Sequence, residues 1–134
     1  MTVLRDEAKE IRTVQDVVLV RQLVRELALV AGFSLVDQTK LVTAASELAR
    51  NTLTHGRGGQ VRVEAINDGN RRGVRVRFED QGPGIPDVKE ALRDGFSTGG
   101  GLGLGLGGAR RLCHDFEIDS SPGHGTRVTI TRWK

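Results

Sequence analysis

From Val74 to Asp80 the chain alternates, with Val74, Val76 and Phe78 on one side and Arg75, Arg77 and Glu79 on the other. This pattern predicts a strand with one buried face and one wet face. The rest of the chain must then supply a layer to cover the apolar side. Counting on by twos puts Asp80 on the buried face too, and Gln81-Gly82-Pro83-Gly84-Ile85-Pro86 follows at once. A buried carboxylate without a partner is costly. Either the strand has ended and Asp80 caps a turn, as Asp before Gly often does, or the carboxylate is kept to meet a ligand. An adenine amino group is a donor of the right kind, and Gly82 and Gly84 would let a ligand approach the backbone closely.

The covering layer is legible upstream. Thr13 with Asp16 three residues on resembles an acidic capping box. Val17, Val20, Leu23, Val24 and Leu27 then keep helical spacing from Val14 to Ala31, where Gly32 ends the run. Ser34 and Asp37 repeat the start signal for a second helix reaching about Thr54 and stopping near Gly56. Val61, Val63 and Ala65 alternate with Arg62 and Glu64, and Asn67-Asp68-Gly69-Asn70 reads as the turn to the Val74 strand. A short strand is expected at Arg5 to Ile11, a short helix at Asp87 to Arg93, and another helix with Leu106, Ala109, Leu112 and Cys113 on one face. A final hairpin pairs Phe116–Ser120 with Thr126–Arg132 around Ser121-Pro122-Gly123-His124-Gly125. Strands with helices on one face make an α/β two-layer sandwich. The 134 residues hold no internal repeat or dividing linker, so a single domain over 1–134 is expected.

Composition narrows the function. Hydrophobic residues make up 37% and charged residues 28%, as in a soluble globular domain. No apolar run approaches bilayer length, and Met1 to Glu10 lacks the apolar core of a signal peptide. Cytoplasmic residence, away from membranes, is expected. The single cysteine, Cys113, excludes an internal disulfide, and with three scattered histidines it does not suggest a zinc site. With four Phe, one Trp and no Tyr, the chain lacks the stacking platforms of a single-strand nucleic-acid binder. A net charge of +3 spread over mixed charges reads as solvated surface, so no nucleic-acid partner is expected.

Three other places could carry chemistry. Glu47 and Asn51 are four apart, so a helix stacks them on one face. At about 100° per residue they border the stripe of Leu41, Ala44, Ala45, Leu48 and Thr52, and Arg50 points roughly the other way. An isolated pair of this kind is an ordinary polar flank. Beside a nucleotide, Asn51 offers a neutral oxygen suited to Mg²⁺, and Glu47 could take the proton of an attacking hydroxyl. Seven glycines between Gly99 and Gly108 interleave with Leu102, Leu104 and Leu106 and open a helix. A glycine segment so placed can present backbone N–H groups to a phosphate. Its fit to G-x-G-x-x-G is set aside, because it follows a loop rather than a strand, and no P-loop motif occurs. Thr126 shares the parity of Val128 and Ile130. It is either a satisfied core threonine or a hydroxyl that helps Asp80 hold a base. His55 and Cys113 read as structural.

Taken in order, Glu47…Asn51, Asp80-Gln81-Gly82-Pro83-Gly84, Gly101-Leu102-Gly103-Leu104-Gly105 and Gly125-Thr126 resemble the GHKL ATPase/kinase superfamily, over nearly the whole chain. The resemblance implies the Bergerat nucleotide-binding fold, with a mixed, mostly antiparallel sheet and helices on one face. It implies ATP and Mg²⁺ as cofactors, Glu47 as general base, Asn51 as the Mg²⁺ ligand and Asp80 as the adenine contact. Gly82, Gly84, Ile85, Gly101, Leu102, Gly103, Leu104 and Gly105 would line the nucleotide, with Thr126 near the base. Arg50 is expected to contact substrate or partner during catalysis.

Within the superfamily, Ser46 to Asn51, Glu79 to Asp87 and Asp94-Gly95-Phe96-Ser97-Thr98 resemble the RsbT-type switch serine/threonine kinases of bacterial stressosomes. Phe96 is followed within five residues by Gly101, as in those kinases. The RsbW/SpoIIAB anti-sigma kinases share the pattern Asn51 to Gly56. The resemblance implies a partner-switching protein kinase that phosphorylates a STAS-domain protein and can activate a PP2C-type phosphatase. The alternative is an anti-sigma factor that binds a sigma factor, or a non-catalytic module shaped by nucleotide. A histidine kinase is not expected, since no dimerisation helix with a phospho-acceptor His precedes the domain.

Overall fold

The computed structural model describes residues 1–93 and 105–134. Its elements run β1 (Thr2–Ile11), α1 (Val14–Val30), α2 (Leu35–Thr54), β2 (Gly59–Asn67), β3 (Arg72–Asp80), α3 (Val88–Ala91), α4 (Gly105–Arg111), β4 (Asp115–Ser120) and β5 (Thr126–Trp133). The five-stranded sheet has the order β1-β2-β3-β5-β4. Every pairing is antiparallel, so the expected two-layer sandwich is present and its sheet carries no parallel pair among the described residues.

Local chemistry sets the helix ends. Thr13 caps α1 with the full capping box: its hydroxyl accepts from Asp16 N–H, and Asp16 accepts from Thr13 N–H. Ser34 caps α2, accepting from Asp37 N–H. α1 buries Val17, Val20, Val24, Leu27 and Ala28, while α2 buries Leu41, Ala44, Ala45 and Leu48. Both stripes close on Val61, Val63, Val74, Val76, Phe78, Val128 and Ile130 of the sheet. Burial of this apolar layer is the main force holding the sandwich together.

The other sheet face is open and polar. There Arg62 bonds Asp6 at 3.1 Å and Arg75 bonds Glu64 at 3.0 Å. β1 starts at Thr2, earlier than the expected Arg5, and its register shifts between Val3 and Arg5. It is an edge strand, mostly exposed, so backbone pairing to β2 defines it rather than an alternating side-chain pattern. Among the described residues no helix is long and apolar enough to cross a membrane.

Candidate active site

β3 delivers Asp80 to the inner face, as its parity predicts. Asp80 is 8% exposed and pairs across the sheet with Gly59 of β2 and Thr126 of β5. Its Oδ1 accepts from Gly82 N–H at 2.9 Å. Burial raises the Asp80 pKa above the usual carboxylate value, and the N–H groups of Gly82 and Thr126, with His55 nearby, oppose that rise. The carboxyl group is packed so closely on the loop after α2 that a Cβ on Gly56 would overlap it.

Asp80 lies on the wall of a cavity of about 290 Å³ between α2, the sheet and the β3–α3 connection. Its surface is mainly apolar, from Leu48, Phe78, Ile85, Leu106 and Val128, with Asn51, Thr52, His55, Thr126 and the acids Asp87 and Glu90 as further polar groups. A mainly apolar cleft with placed polar groups is the usual chemistry of a small-molecule site. Gly84 turns the chain over one rim with φ +79°, and a side chain there would meet the Ser121 carbonyl. Both constraints require glycine at Gly84.

The expected residues among those described take definite positions. Asn51, Asp80, Gly84, Ile85, Gly105 and Thr126 all line this cavity. Gly82 lies on the far side of Asp80, lining a second, polar cleft with Arg12, Arg57 and Gln60. Glu47 lies 4% exposed on α2, where its Oε1 accepts from Gly105 N–H at 3.2 Å. That bond ties α2 to the start of α4. Arg50 is half-buried and is not among the lining residues. Gly101, Leu102, Gly103 and Leu104 lie outside the described residues.

Sequence reading passed over Ser120. Its hydroxyl contacts Thr126 Oγ1 at 2.8 Å, accepts from Ile85 N–H at 2.8 Å and donates to Gly125 O at 3.1 Å. It therefore locks the β4–β5 hairpin to the Gly84–Ile85 rim. No spacing in the chain signals this, since Ser120 meets Thr126 only through the hairpin register and Ile85 only through tertiary folding. Burial pushes the Cys113 thiol up to about 12, so it stays protonated at neutral pH.

A two-layer α/β sandwich thus carries a buried carboxylate, Asp80, and Asn51 of α2 on the wall of one apolar cleft. Residues 36–134 match the histidine kinase-, DNA gyrase B-, and HSP90-like ATPase family, and the chain belongs to it. It is 46% identical over 123 residues to the serine/threonine-protein kinase RsbT of Bacillus subtilis, covering 92% of each chain. An anti-sigma F factor of Bacillus licheniformis is 33% identical over 101 residues, 72% of this chain and 69% of that one. The RsbU and RsbW domains of a Mycobacterium tuberculosis protein share the fold with a TM-score of 0.66, at 24% identity, over 96% of this chain and 31% of the longer one. Family membership carries ATP use with it, and the 46% kinship supports the partner-switching serine/threonine kinase expected from the sequence. The residues fit the cofactor: Asp80 is a buried acceptor and the bare Gly56 leaves it room.

Proposed function

We propose that this chain is a cytoplasmic, Mg²⁺- and ATP-dependent protein kinase that phosphorylates a serine or threonine of a STAS-domain protein and, released from that partner, activates a PP2C-type phosphatase. The observation that carries the reading is the placement of Asp80, buried at the wall of an apolar cavity with one oxygen fixed by Gly82 N–H. ATP, when bound, supplies the phosphoryl group that is transferred. Asp80 would accept from the base's amino group, and Leu48, Ile85 and Val128 would exclude water around the base. Thr126, anchored by Ser120, holds its stretch of the cavity wall in place.

Asn51, on the cavity wall, would give one oxygen to Mg²⁺, with phosphate oxygens and water completing its octahedral shell. Glu47, one turn back on α2, would take the proton of the substrate hydroxyl as the new O–P bond forms. Glu47 is not among the cavity's lining residues, but its bond to the N–H of Gly105, which is, keeps the carboxylate one residue from the wall. Gly84 and Gly105, both on the cavity wall, would let the backbone approach the nucleotide.

The test is incubation of the purified chain with labelled ATP, Mg²⁺ and purified STAS-domain proteins. Labelled STAS protein is the expected result, and no transfer to any of them would overturn the kinase reading. The similarity to an anti-sigma F factor favours a second reading, direct sigma-factor binding. Capture of a sigma factor by the purified chain would support it.

A further inference from the structure

We infer that the free edge of β4 docks an extended segment of a partner protein, one that alternates basic and apolar side chains and adds a strand to the sheet. β4 is the last strand in the order β1-β2-β3-β5-β4, so among the described residues it pairs with β5 alone. The outward N–H and C=O groups of such an edge are a template for another strand. The two edges of this sheet are built differently. β1 has a register shift between Val3 and Arg5, and Arg5, Asp6, Glu7, Lys9 and Glu10 mix both signs along it. Irregularity and mixed charge blunt an edge against pairing. β4 instead keeps an unbroken register with β5 from Asp115 to Ser120, and its charged side chains are all acidic.

The side chains of β4 select the occupant. Asp115, Glu117 and Asp119 are exposed on the open face of the sheet, and Phe116 and Ile118 alternate with them toward the core. Phe116 and Ile118 pack against the core yet stay partly exposed, so apolar side chains on an added strand would extend that layer. Asp115 accepts from Trp133 Nε1 at 3.0 Å. Glu117 and Asp119 have no ion pair among the described residues. Arg127, opposite Asp119 in the register, pairs with Glu79 at 3.3 Å instead. Opposite charges on neighbouring strands support pairing and like charges oppose it. A second copy of β4 would bring its own carboxylates against these three, whereas a basic strand would neutralise them. None of the residues from Asp115 to Asp119 lines the nucleotide cavity. Ser120, which ends β4, bonds Ile85 N–H at the cavity rim, so a docked strand would lie alongside the element that holds the rim. The inference rests on the proposed function only in taking the occupant to be a protein.

The probes are three designed peptides of about eight residues, within the length of an ordinary strand. One alternates lysine with valine and one alternates glutamate with valine. The third is the lysine peptide with its central valines replaced by proline, which cannot complete a backbone ladder. Binding to the full chain is followed by fluorescence anisotropy at low and moderate salt. The lysine peptide should bind about tenfold tighter than either of the others. Its margin over the glutamate peptide should shrink as salt rises, while its margin over the proline peptide persists. Amide exchange at residues 115–120 should slow when it binds. In Glu117→Lys/Asp119→Lys the preference between lysine and glutamate peptides should reverse. ATP affinity and thermal melting should hold steady in that variant, because these two side chains belong to neither core nor cavity. Equal binding of the lysine and glutamate peptides by the wild-type chain overturns the proposal. So does a proline peptide that binds as tightly as its parent, which would reduce recognition to charge alone. A wild-type dimer in sedimentation whose formation protects amides 115–120 from exchange would make a second copy the occupant and overturn it likewise. Failure of phosphoryl transfer would leave these results unaffected, so the two ideas fail separately.

Discussion

The carboxyl group of Asp80 lies directly against the α-carbon of Gly56, with no space for a Cβ between them. Gly56 closes α2, its N–H bonding Asn51 O at 3.1 Å, so one glycine joins the helix that carries Glu47 and Asn51 to the strand end that carries Asp80. Gly56→Ala must push Asp80 off its position or move the end of α2. Loss of measurable ATP binding and a lower Tm are the expected outcomes, since overpacking a tight site typically costs about 1–3 kcal/mol. Wild-type ATP affinity in this variant would remove Asp80 from the site.

Asp80→Asn should trade binding for stability. Burial raises the folded pKa of Asp80 above the 3.8 of an unperturbed carboxyl, so between those values the folded state holds more protons than the unfolded one. Stability therefore falls as pH rises through that window, and at neutral pH the ionised carboxylate is a cost to the fold. The amide removes that cost and keeps an oxygen for Gly82 N–H. Without nucleotide, Asp80→Asn should melt above wild type at pH 7, with the gap closing as pH drops below the carboxylate range. ATP affinity should fall roughly ten- to a hundredfold, the worth of one charge-assisted hydrogen bond. Calorimetry showing unchanged affinity counts against the adenine contact.

Asn51→Ala tests the metal. If Asn51 is the protein's direct link to Mg²⁺, nucleotide affinity with Mg²⁺ should drop far more than affinity in EDTA. Equal losses under the two conditions would show that Asn51 serves the nucleotide or the cavity wall instead.

Glu47→Gln should separate chemistry from binding. The amide oxygen can still accept from Gly105 N–H, so the tie between α2 and α4 survives and ATP affinity should stay within a few fold. Transfer of labelled phosphate to a STAS-domain protein should fall by roughly a hundredfold or more, the usual scale for a lost general base. Normal transfer rates would leave Glu47 as a structural anchor of α4.

Ser120→Ala is expected to act at a distance from the nucleotide. It deletes the hydroxyl shared by Thr126, Ile85 and Gly125, leaving Gly123 N–H to Pro83 O at 2.8 Å as a tie between the hairpin and the rim. A several-fold weaker ATP affinity with faster amide exchange at Ile85 is the expected pair of results. Unchanged exchange there would mean that other contacts hold the rim.

The alternation through Val74, Val76 and Phe78 determined by itself which face of β3 is buried, and with it the inward placement of Asp80. A period of two leaves no other option once one face is apolar. The caps at Thr13 and Ser34 and the 3.6-residue spacing likewise determined α1 and α2, because those signals are local. The order of Glu47, Asn51, Asp80 and Thr126 pointed to the family that the comparisons show. Tertiary structure decided what depends on distant partners. The first residues of β1 have no alternating pattern, and the strand exists there because β2 offers unpaired backbone groups. Glu47 could not be seen to reach Gly105, 58 positions away, nor Ser120 to gather Ile85 and Thr126. Those bonds form only after the hydrophobic layers have packed and brought the chain segments within hydrogen-bond reach.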